Sequence, residues 1–219
     1  MTFQSPAFRL ISAVIFSTFA LTSFAASLTV IVTDATGKPV LDAVAYAEPE
    51  LAMPAPKQFP KVEIEQKGKK FLPMVSVVQT GTAILFPNND TVRHHIYSFS
   101  PAKIFEQKLY SGVPEKPVVF DKPGTVVLGC NIHDFMLAYI YVVDTAYFAK
   151  TDVSGKLNLE LPSGKYQLKL RHMDLPAGDL PEQTILMQND NLSVNIKLNV
   201  KPKTRVSERD SKSPIYNQP

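Results

Sequence analysis

Three side chains that can bind a metal ion lie close together in the segment GCNIHDFM. They are Cys130, His133 and Met136, and Cys130 is the only cysteine of the 219 residues. A thiolate and an imidazole with a weak axial thioether suit a mononuclear redox copper site, because soft sulfur stabilises Cu(I) and imidazole binds both oxidation states. The segment therefore predicts a copper site that still needs a second imidazole.

Two adjacent histidines upstream, His94 and His95, are the candidates for that second imidazole. Successive residues of a β-strand face opposite sides of the sheet. His94 shares its side with Val92 and Ile96, whereas His95 lies on the side of Arg93. The apolar side is expected to face the core, so we predict His94 as the ligand.

Other donors and other chemistries are weaker interpretations of the same residues. Structural zinc prefers four Cys or His ligands and has little use for methionine. A catalytic thiol paired with His133 would need an activating helix N-terminus or an orienting group, and the sequence indicates neither. We expect Met74 to pack in the core, Asp134 to cap amides of its own loop, and His172 to lie at the surface end of a strand.

The N-terminus has the pattern of a secretory signal peptide. Arg9 precedes an uncharged apolar run that extends to about residue 24, and the small residues Ser23 and Ala25 predict cleavage after residue 25. An uncleaved anchor is the alternative, and no later stretch is long and apolar enough to span a bilayer. We therefore expect a periplasmic protein without a membrane span after cleavage. A lone thiol in an oxidising compartment needs a reason, and metal binding is one.

The charge pattern argues against a nucleic-acid partner. The formal net charge is only +3, and the basic residues are scattered along the chain. No arginine-rich or aromatic-interleaved basic stretch is present, as a nucleic-acid-binding surface would require. We therefore exclude nucleic acid as a partner.

The hydrophobic pattern predicts an all-β fold. Short alternating or β-branched runs such as LTVIVT, TVVLGC and KLNLEL are separated by Gly, Pro, Asn and Asp, and helical periodicity is nearly absent. Eighteen prolines are distributed among the connections. This pattern is typical of β-sandwiches with Greek-key links. The polar, aperiodic residues 201 to 219 are predicted to form a disordered tail.

Two distant segments resemble the halves of one carboxypeptidase-regulatory or transthyretin-like sandwich. Both segments combine tight turns with short strands. The resemblance implies one sandwich built from residues 26 to 48 and 144 to 200, with residues 49 to 143 inserted between them. The residues that carry it are Gly37, Pro39, Ala43, Thr151, Asp152, Gly155, Pro162, Gly164 and Tyr166.

The inserted region resembles the blue-copper proteins, or cupredoxins, over about residues 60 to 143. Its C-x-x-H-x-x-M segment has the spacing and order of the amicyanin ligand loop, with Phe135 in the matching position. Chains of this longer design are similar to those labelled methylamine-utilisation-like proteins. The residues upstream of the loop that carry the resemblance are Phe71, Pro73, Gly81, Phe86, Asn88 and His94.

The chain departs from the cupredoxin pattern at two places. His95 stands where the family usually has an asparagine whose backbone amide helps to hold the cysteine sulfur. Asn131 follows the cysteine in place of a threonine or serine, and Ile132 replaces the common proline. A backbone donor survives the first change, while the second alters the residues that stiffen the ligand loop.

The resemblance implies an eight-stranded Greek-key sandwich that holds one type 1 copper ion. His94, Cys130 and His133 would form the trigonal plane, and Met136 would be the axial ligand. Such a protein is a one-electron carrier and not an enzyme. The alternative is a copper carrier or sensor that uses the same ligands without moving an electron.

The resemblance also implies a transient partner. In the family the edge of the second histidine is the exit for electrons to a redox partner protein. Here we expect that edge to be surrounded by Phe135, Met136 and Leu137, an apolar patch suited to a contact below the standard interface size.

Overall fold

The computed structural model describes residues 26 to 51, 60 to 176 and 178 to 200. Every regular element of these residues is a β-strand, which confirms the predicted all-β class. The predicted signal peptide, the tail from residue 201 onward and most of the proline-rich connection at residues 52 to 59 lie outside the described residues. The described residues contain no helix long and apolar enough to cross a membrane.

The described chain forms seventeen strands. They are β1 (Ala26–Thr33), β2 (Val44–Pro49), β3 (Val62–Glu63), β4 (Glu65–Gln66), β5 (Phe71–Leu72), β6 (Val75–Gln79), β7 (Thr82–Leu85), β8 (His94–Ser100), β9 (Lys103–Tyr110), β10 (Val118–Phe120), β11 (Gly124–Cys130), β12 (Leu137–Val143), β13 (Phe148–Lys150), β14 (Lys156–Leu161), β15 (Gly164–Arg171), β16 (Glu182–Met187) and β17 (Leu192–Lys197).

The first two strands pair with the last five to form one sandwich, which we call the terminal sandwich. One of its sheets has the strand order β14-β1-β17 and the other has the order β13-β2-β15-β16. Strand β1 alternates buried and half-buried residues, as the pattern of LTVIVT predicts. Its buried side, with Leu28, Val30 and Val32, packs in one apolar cluster with Leu168 and Ile185 of the opposite sheet.

Strands β3 to β12 form a second sandwich, which we call the inserted sandwich. A five-stranded sheet of order β6-β12-β11-β8-β9 faces a three-stranded sheet of order β10-β7-β3, and β4 and β5 form a separate pair. Its core contains Phe86, Phe120, Leu128 and Ile140, and it includes Cys130. The cysteine therefore lies at the end of a packed core and not in a surface loop.

The two sandwiches pack on each other through a third apolar cluster. Val44 and Tyr46 of β2 contact Val75 of β6 and Tyr141 and Val143 of β12 in this cluster. Strands β2 and β12 are thus buried on both faces, which explains why their sequences are apolar without a clean alternation. The five-stranded sheet of the inserted sandwich therefore packs against the sheet β13-β2-β15-β16 of the terminal sandwich.

A tight turn before β14 fits closely against β1. Gly155 has φ of 73°, a left-handed conformation that favours glycine, and its carbonyl oxygen accepts a hydrogen bond from the Val32 amide at 2.8 Å. A Cβ atom at this position would come within 2.5 Å of the Val32 carbonyl oxygen. Asp152 closes the turn by accepting hydrogen bonds from the amides of Ser154 and Lys156.

A second link between distant parts of the terminal sandwich leads to a stability prediction. The buried Thr151 hydroxyl donates to the Val40 carbonyl at 2.7 Å and accepts from the Ala43 amide at 2.9 Å. Thr151→Val should lower the free energy of unfolding by about 1–3 kcal/mol, because a buried amide and a buried carbonyl lose their partner. Urea unfolding measures the change.

The matched control is Thr29→Val on β1. The Thr29 hydroxyl donates to Asn158 in an exposed setting, where water can replace the bond. Its replacement should change stability by no more than about 0.5 kcal/mol. Equal losses of unfolding free energy in both variants would show that the buried bonds of Thr151 stabilise the fold no more than an exposed bond does.

Candidate metal centre

The ends of two neighbouring strands bring the predicted ligands together. His94 is the first residue of β8 and Cys130 is the last residue of β11, and these strands are antiparallel neighbours with Cys130 opposite Ile96. Because antiparallel strands run in opposite directions, the start of one and the end of the other share a sheet edge. The loop after β11 then returns His133 to the same place.

Three ligand atoms converge at this edge. Cys130 Sγ lies 3.6 Å from His94 Nδ1 and 3.8 Å from His133 Nδ1, and the three residues offer ligand atoms within 4.8 Å of one another. His94 is 0 % exposed and Cys130 is 2 % exposed. With metal bonds of about 2.3 Å to sulfur and 2.0–2.1 Å to nitrogen, nitrogen and sulfur ligands lie about 3.6–3.8 Å apart in tetrahedral or trigonal sites. The observed spacings fit one metal ion.

Main-chain hydrogen bonds hold the ligand loop. The Asn131 amide donates to the His95 carbonyl at 3.0 Å, so the start of the loop is tied to β8. The Met136 amide donates to the His133 carbonyl at 2.9 Å, so the end of the loop folds back on itself. Met136 is only 1 % exposed and packs in the core cluster that contains Cys130, while its role as a ligand stays a prediction.

The other donors considered from the sequence lie elsewhere. The His95 ring pairs with Glu106, Nε2 to Oε1 at 2.7 Å, outside the cluster of three ligand atoms. Met74 packs against the apolar cluster between the two sandwiches, in line with a core role. The prediction of a surface position for His172 was wrong. Its side chain is 6 % exposed, and its Nε2 donates a hydrogen bond to the Leu41 carbonyl at 3.2 Å.

The electrostatic setting favours the neutral form of the half-buried His133. Loss of hydration on burial lowers the pKa of His133 below its ordinary value, and the neighbouring His94 and Lys69 lower it further, against an opposing effect of Asp90. The His133 and His94 rings are 5.0 Å apart between centroids. A neutral imidazole keeps the lone pair that a metal requires.

Asp90 belongs to the site although the sequence analysis did not identify it. Its Oδ2 is 2.7 Å from His94 Nε2, the nitrogen on the far side of the ring from Cys130. Burial raises the pKa of Asp90, but hydrogen bonds from the Lys69 amide and from His94 outweigh it and hold the pKa below the usual value. The available signal was a carboxylate four residues before the predicted ligand, in the turn-forming sequence PNND.

Exposed apolar residues lie near the half-buried His133 in the sequence, and we call them the apolar rim. Ile132, Phe135 and Leu137 are all exposed large apolar residues next to it in sequence, and the Phe135 ring lies 5.9 Å from the His133 ring between centroids. The expected contribution of Met136 to this patch was wrong, because that side chain points into the core. Ile132 takes its place at the surface.

Comparisons with known proteins give structural neighbours only. No protein-family model and no curated protein matches the chain. A copper-containing nitrite reductase from Thermus scotoductus SA-01 is 26 % identical over 43 % of this chain, with a TM-score of 0.36. A purple cupredoxin from Nitrosopumilus maritimus is 20 % identical over 37 % of this chain, with a TM-score of 0.34. Amicyanin from Paracoccus versutus is 13 % identical over 44 %, with a TM-score of 0.33.

The share of each neighbour that is matched differs widely. The chain spans only 25 % of the nitrite reductase, but 99 % of the purple cupredoxin and 97 % of the amicyanin. These neighbours are cupredoxins, the family that residues 60 to 143 resemble in their motifs.

Proposed function

We propose that this protein binds one copper ion of type 1 and acts as a one-electron carrier, with His94, Cys130, His133 and Met136 as ligands. The observation that carries the proposal is the convergence of two imidazole Nδ1 atoms on one buried thiol sulfur. Copper in such a ligand set changes between Cu(I) and Cu(II) and so takes up or releases a single electron. The experiment that tests the proposal is the visible spectrum of the oxidised, copper-loaded protein, which should show an intense thiolate-to-Cu(II) band.

The residues of the chain perform two tasks in this function. The packed ends of β8 and β11 fix His94 and Cys130 in place, so the ligand positions need little rearrangement between the two oxidation states. Cys130 continues directly into the backbone of β11, which gives a covalent path from the sulfur into the sheet. His133 is the only one of the three clustered residues that is not fully buried, so its ring offers the route to a partner.

The donor set favours copper over zinc. Structural zinc sites are closed by four Cys or His ligands. Among the described residues, three supply clustered ligand atoms, His94, Cys130 and His133, and Met136, which packs in the same core cluster as Cys130, would add a thioether. Thioether and thiolate together suit copper, which accepts soft ligands. The proposal would be contradicted if the protein bound zinc as tightly as copper and showed no thiolate-to-Cu(II) band when copper was added.

An alternative from another class of protein is a cysteine hydrolase. Short contacts link the Asp90 carboxylate to the His94 ring and the His94 ring to the Cys130 thiol. A nucleophilic thiol must reach its substrate, and here both the thiol and the ring of His94 are buried. A second imidazole beside the same sulfur is also redundant in a hydrolase but is required in a copper site. Burial and the second imidazole both favour metal binding.

The location and the partner form part of the proposal. A signal peptide over residues 1 to 25 would export the chain to the periplasm, where a metal ion would protect the single thiol from oxidation. The exposed rim of Ile132, Phe135 and Leu137 suits a transient redox partner protein. A brief contact through a small apolar patch permits rapid exchange of partners.

The redox behaviour of a variant at the proposed axial ligand distinguishes an electron carrier from a copper carrier or sensor. Met136→Leu should raise the reduction potential and keep the colour, because loss of a weak axial donor destabilises Cu(II) without touching the Cys130 bond. A difference of about 1.4 kcal/mol between the oxidation states corresponds to about 59 mV for one electron, and we expect a shift of this order. Voltammetry of both proteins measures it.

Met74→Leu is the matched control, since Met74 packs between the two sandwiches. It should leave the potential unchanged. If the wild-type protein bound only Cu(I), or released copper on oxidation, its function would be that of a copper carrier or sensor and not electron transfer.

A further inference from the structure

The two nitrogens of the His94 ring have different partners on opposite sides. Nε2 is 2.7 Å from Asp90 Oδ2, whereas Nδ1 is 3.6 Å from Cys130 Sγ. The His94 side chain is fully buried and that of Asp90 is 12 % exposed, so water does not compete for the ring. The orientation of the imidazole is therefore set by one carboxylate behind it.

The main chain holds both oxygens of this carboxylate. The Gly68 amide donates to Oδ1 at 2.6 Å and the Lys69 amide donates to Oδ2 at 2.9 Å. Gly68 and Lys69 have φ of 59° and 54°, within a turn that is closed by two hydrogen bonds between Lys67 and Lys70. Consecutive amides in such a turn form a concave site for an anion. The left-handed conformation of Lys69, uncommon for a residue other than glycine, thus aims an amide at Asp90.

A buried asparagine fixes the loop that carries Asp90. The Asn88 side chain donates to the carbonyl oxygens of Val92 at 3.0 Å and Tyr110 at 2.8 Å. Its Oδ1 accepts a hydrogen bond from the Asp90 amide at 3.0 Å. The bonds with Val92 and Asp90 hold the segment before β8 together, and the bond to Tyr110 attaches that segment to the end of β9. The position of Asp90 is therefore determined by hydrogen bonds from three separate segments of the chain.

We propose that Asp90 is a positioning residue of the metal centre, which keeps the ring proton of His94 on Nε2 and leaves the Nδ1 lone pair facing Cys130. A neutral imidazole has one N–H donor and one acceptor nitrogen, and an ionised carboxylate can only accept. The bond at Nε2 therefore decides which nitrogen is free to bind a metal. The inference rests on the proposed copper function for its redox consequence, but the tautomer follows from the metal-free chain alone.

The same bond should strengthen His94 as a ligand. A carboxylate behind a ligating histidine raises the basicity of the ring, and loss of such a partner typically weakens metal binding by about 10- to 100-fold. A more basic imidazole favours Cu(II) over Cu(I), because the more highly charged ion gains more from electron donation. Asp90 should therefore lower the reduction potential of the site.

The neighbouring histidine supplies a matched control within the same strand. His95 Nε2 is 2.7 Å from Glu106 Oε1, the same separation as in the pair of Asp90 and His94. This second pair is more exposed, and His95 is not among the three clustered ligand residues. Removing the charge of Glu106 changes a histidine–carboxylate pair of the same kind without touching the site.

The first measurement uses the unmodified, metal-free protein. Nitrogen-15 NMR of the histidine rings should show that His94 carries its proton on Nε2. A neutral His94 ring with its proton on Nδ1 would overturn the proposal. This measurement needs neither copper nor a variant. The measurement therefore remains decisive even if substitution of Asp90 prevents folding, and also if the protein turns out not to bind copper.

The second measurement compares Asp90→Asn with Glu106→Gln in the copper-loaded protein. Asp90→Asn should weaken Cu(II) binding by about 10- to 100-fold and raise the reduction potential, with the visible band retained. Glu106→Gln should change neither quantity. Equal effects of the two substitutions, or an unchanged affinity and potential in Asp90→Asn, would overturn the positioning role. Absence of a visible band in the wild-type protein would instead count against the copper function itself.

Discussion

Replacing His94 with alanine should abolish the visible absorption of the copper-loaded protein, whereas replacing His95 with alanine should leave most of it. The band depends on a thiolate bound to Cu(II) in a site completed by two imidazoles. His94 Nδ1 faces the sulfur of Cys130 at 3.6 Å, while the His95 ring is occupied by Glu106. Titration with Cu(II), followed by visible absorption, measures the loss.

The buried position of His94 requires a control for folding. Removing a fully buried side chain leaves a cavity, so some loss of stability is expected in His94→Ala. Free imidazole added to the variant should enter that cavity and restore part of the colour, which an unfolded chain would not allow. Loss of the band in His95→Ala with retention in His94→Ala would show that the inward side of β8 has been misassigned.

The sequence was sufficient for those parts of the site that depend on spacing along one strand or loop. Alternation along β8 distinguishes His94 from His95, and the structure places His94 in the cluster with Cys130 and His133. The short interval from Cys130 to His133 brings the His133 ring back to the thiol, with Nδ1 at 3.8 Å from Sγ. Local periodicity is therefore informative wherever the neighbouring strand imposes one buried side.

The sequence was not sufficient where a side chain is placed by contacts between distant segments. Asp90 faces His94 because amides of residues 68 and 69 hold it, and no local pattern relates these two turns. His172 was predicted at the surface because it follows a strand, yet its ring bonds to the distant Leu41 carbonyl and its side chain is largely buried. Met136 was expected in the exposed patch because its neighbours are apolar, but alternation within a tight loop is not predictable.

The arrangement of the sandwiches lies between these two cases. Turn residues such as Asp152 and Gly155 suggested that the two ends of the chain form one unit, and β1 and β2 do pair with strands after residue 144. The third apolar cluster, between the sandwiches, could not be inferred. Strands buried on both faces have apolar residues in succession, and such runs do not reveal which layer covers which face.

Deleting residues 26 to 48 should prevent residues 144 to 200 from folding, which is the other large effect that the structure predicts. Strand β1 is the centre of its sheet, antiparallel to β14 on one side and parallel to β17 on the other. Without it, both partners lose their main-chain hydrogen bonds, and they cannot reach each other across the empty place. Strand β2 likewise separates β13 from β15, so the opposite sheet is divided as well.

The energetic loss is comparable with the whole stability of a domain. The deletion removes four buried leucine and valine side chains, those of Leu28, Val30, Val32 and Val40, from the core of the terminal sandwich. Each contributes about 1.5–3 kcal/mol by burial, which amounts to roughly 6–12 kcal/mol. Native domains are stable by only about 5–15 kcal/mol, so the remaining strands should not form a cooperative unit.

Hydrogen exchange of a chain that lacks residues 26 to 48 measures this effect residue by residue. Amides of β14 to β17 should exchange at the rate of an unfolded chain, and a peptide of residues 26 to 48, added separately, should restore their protection. That rescue would show that the pairing itself, and not the act of truncation, holds the strands in place. If residues 49 to 143 and residues 144 to 200 each folded fully alone, the folding of the terminal sandwich would not depend on β1, and the prediction would be wrong.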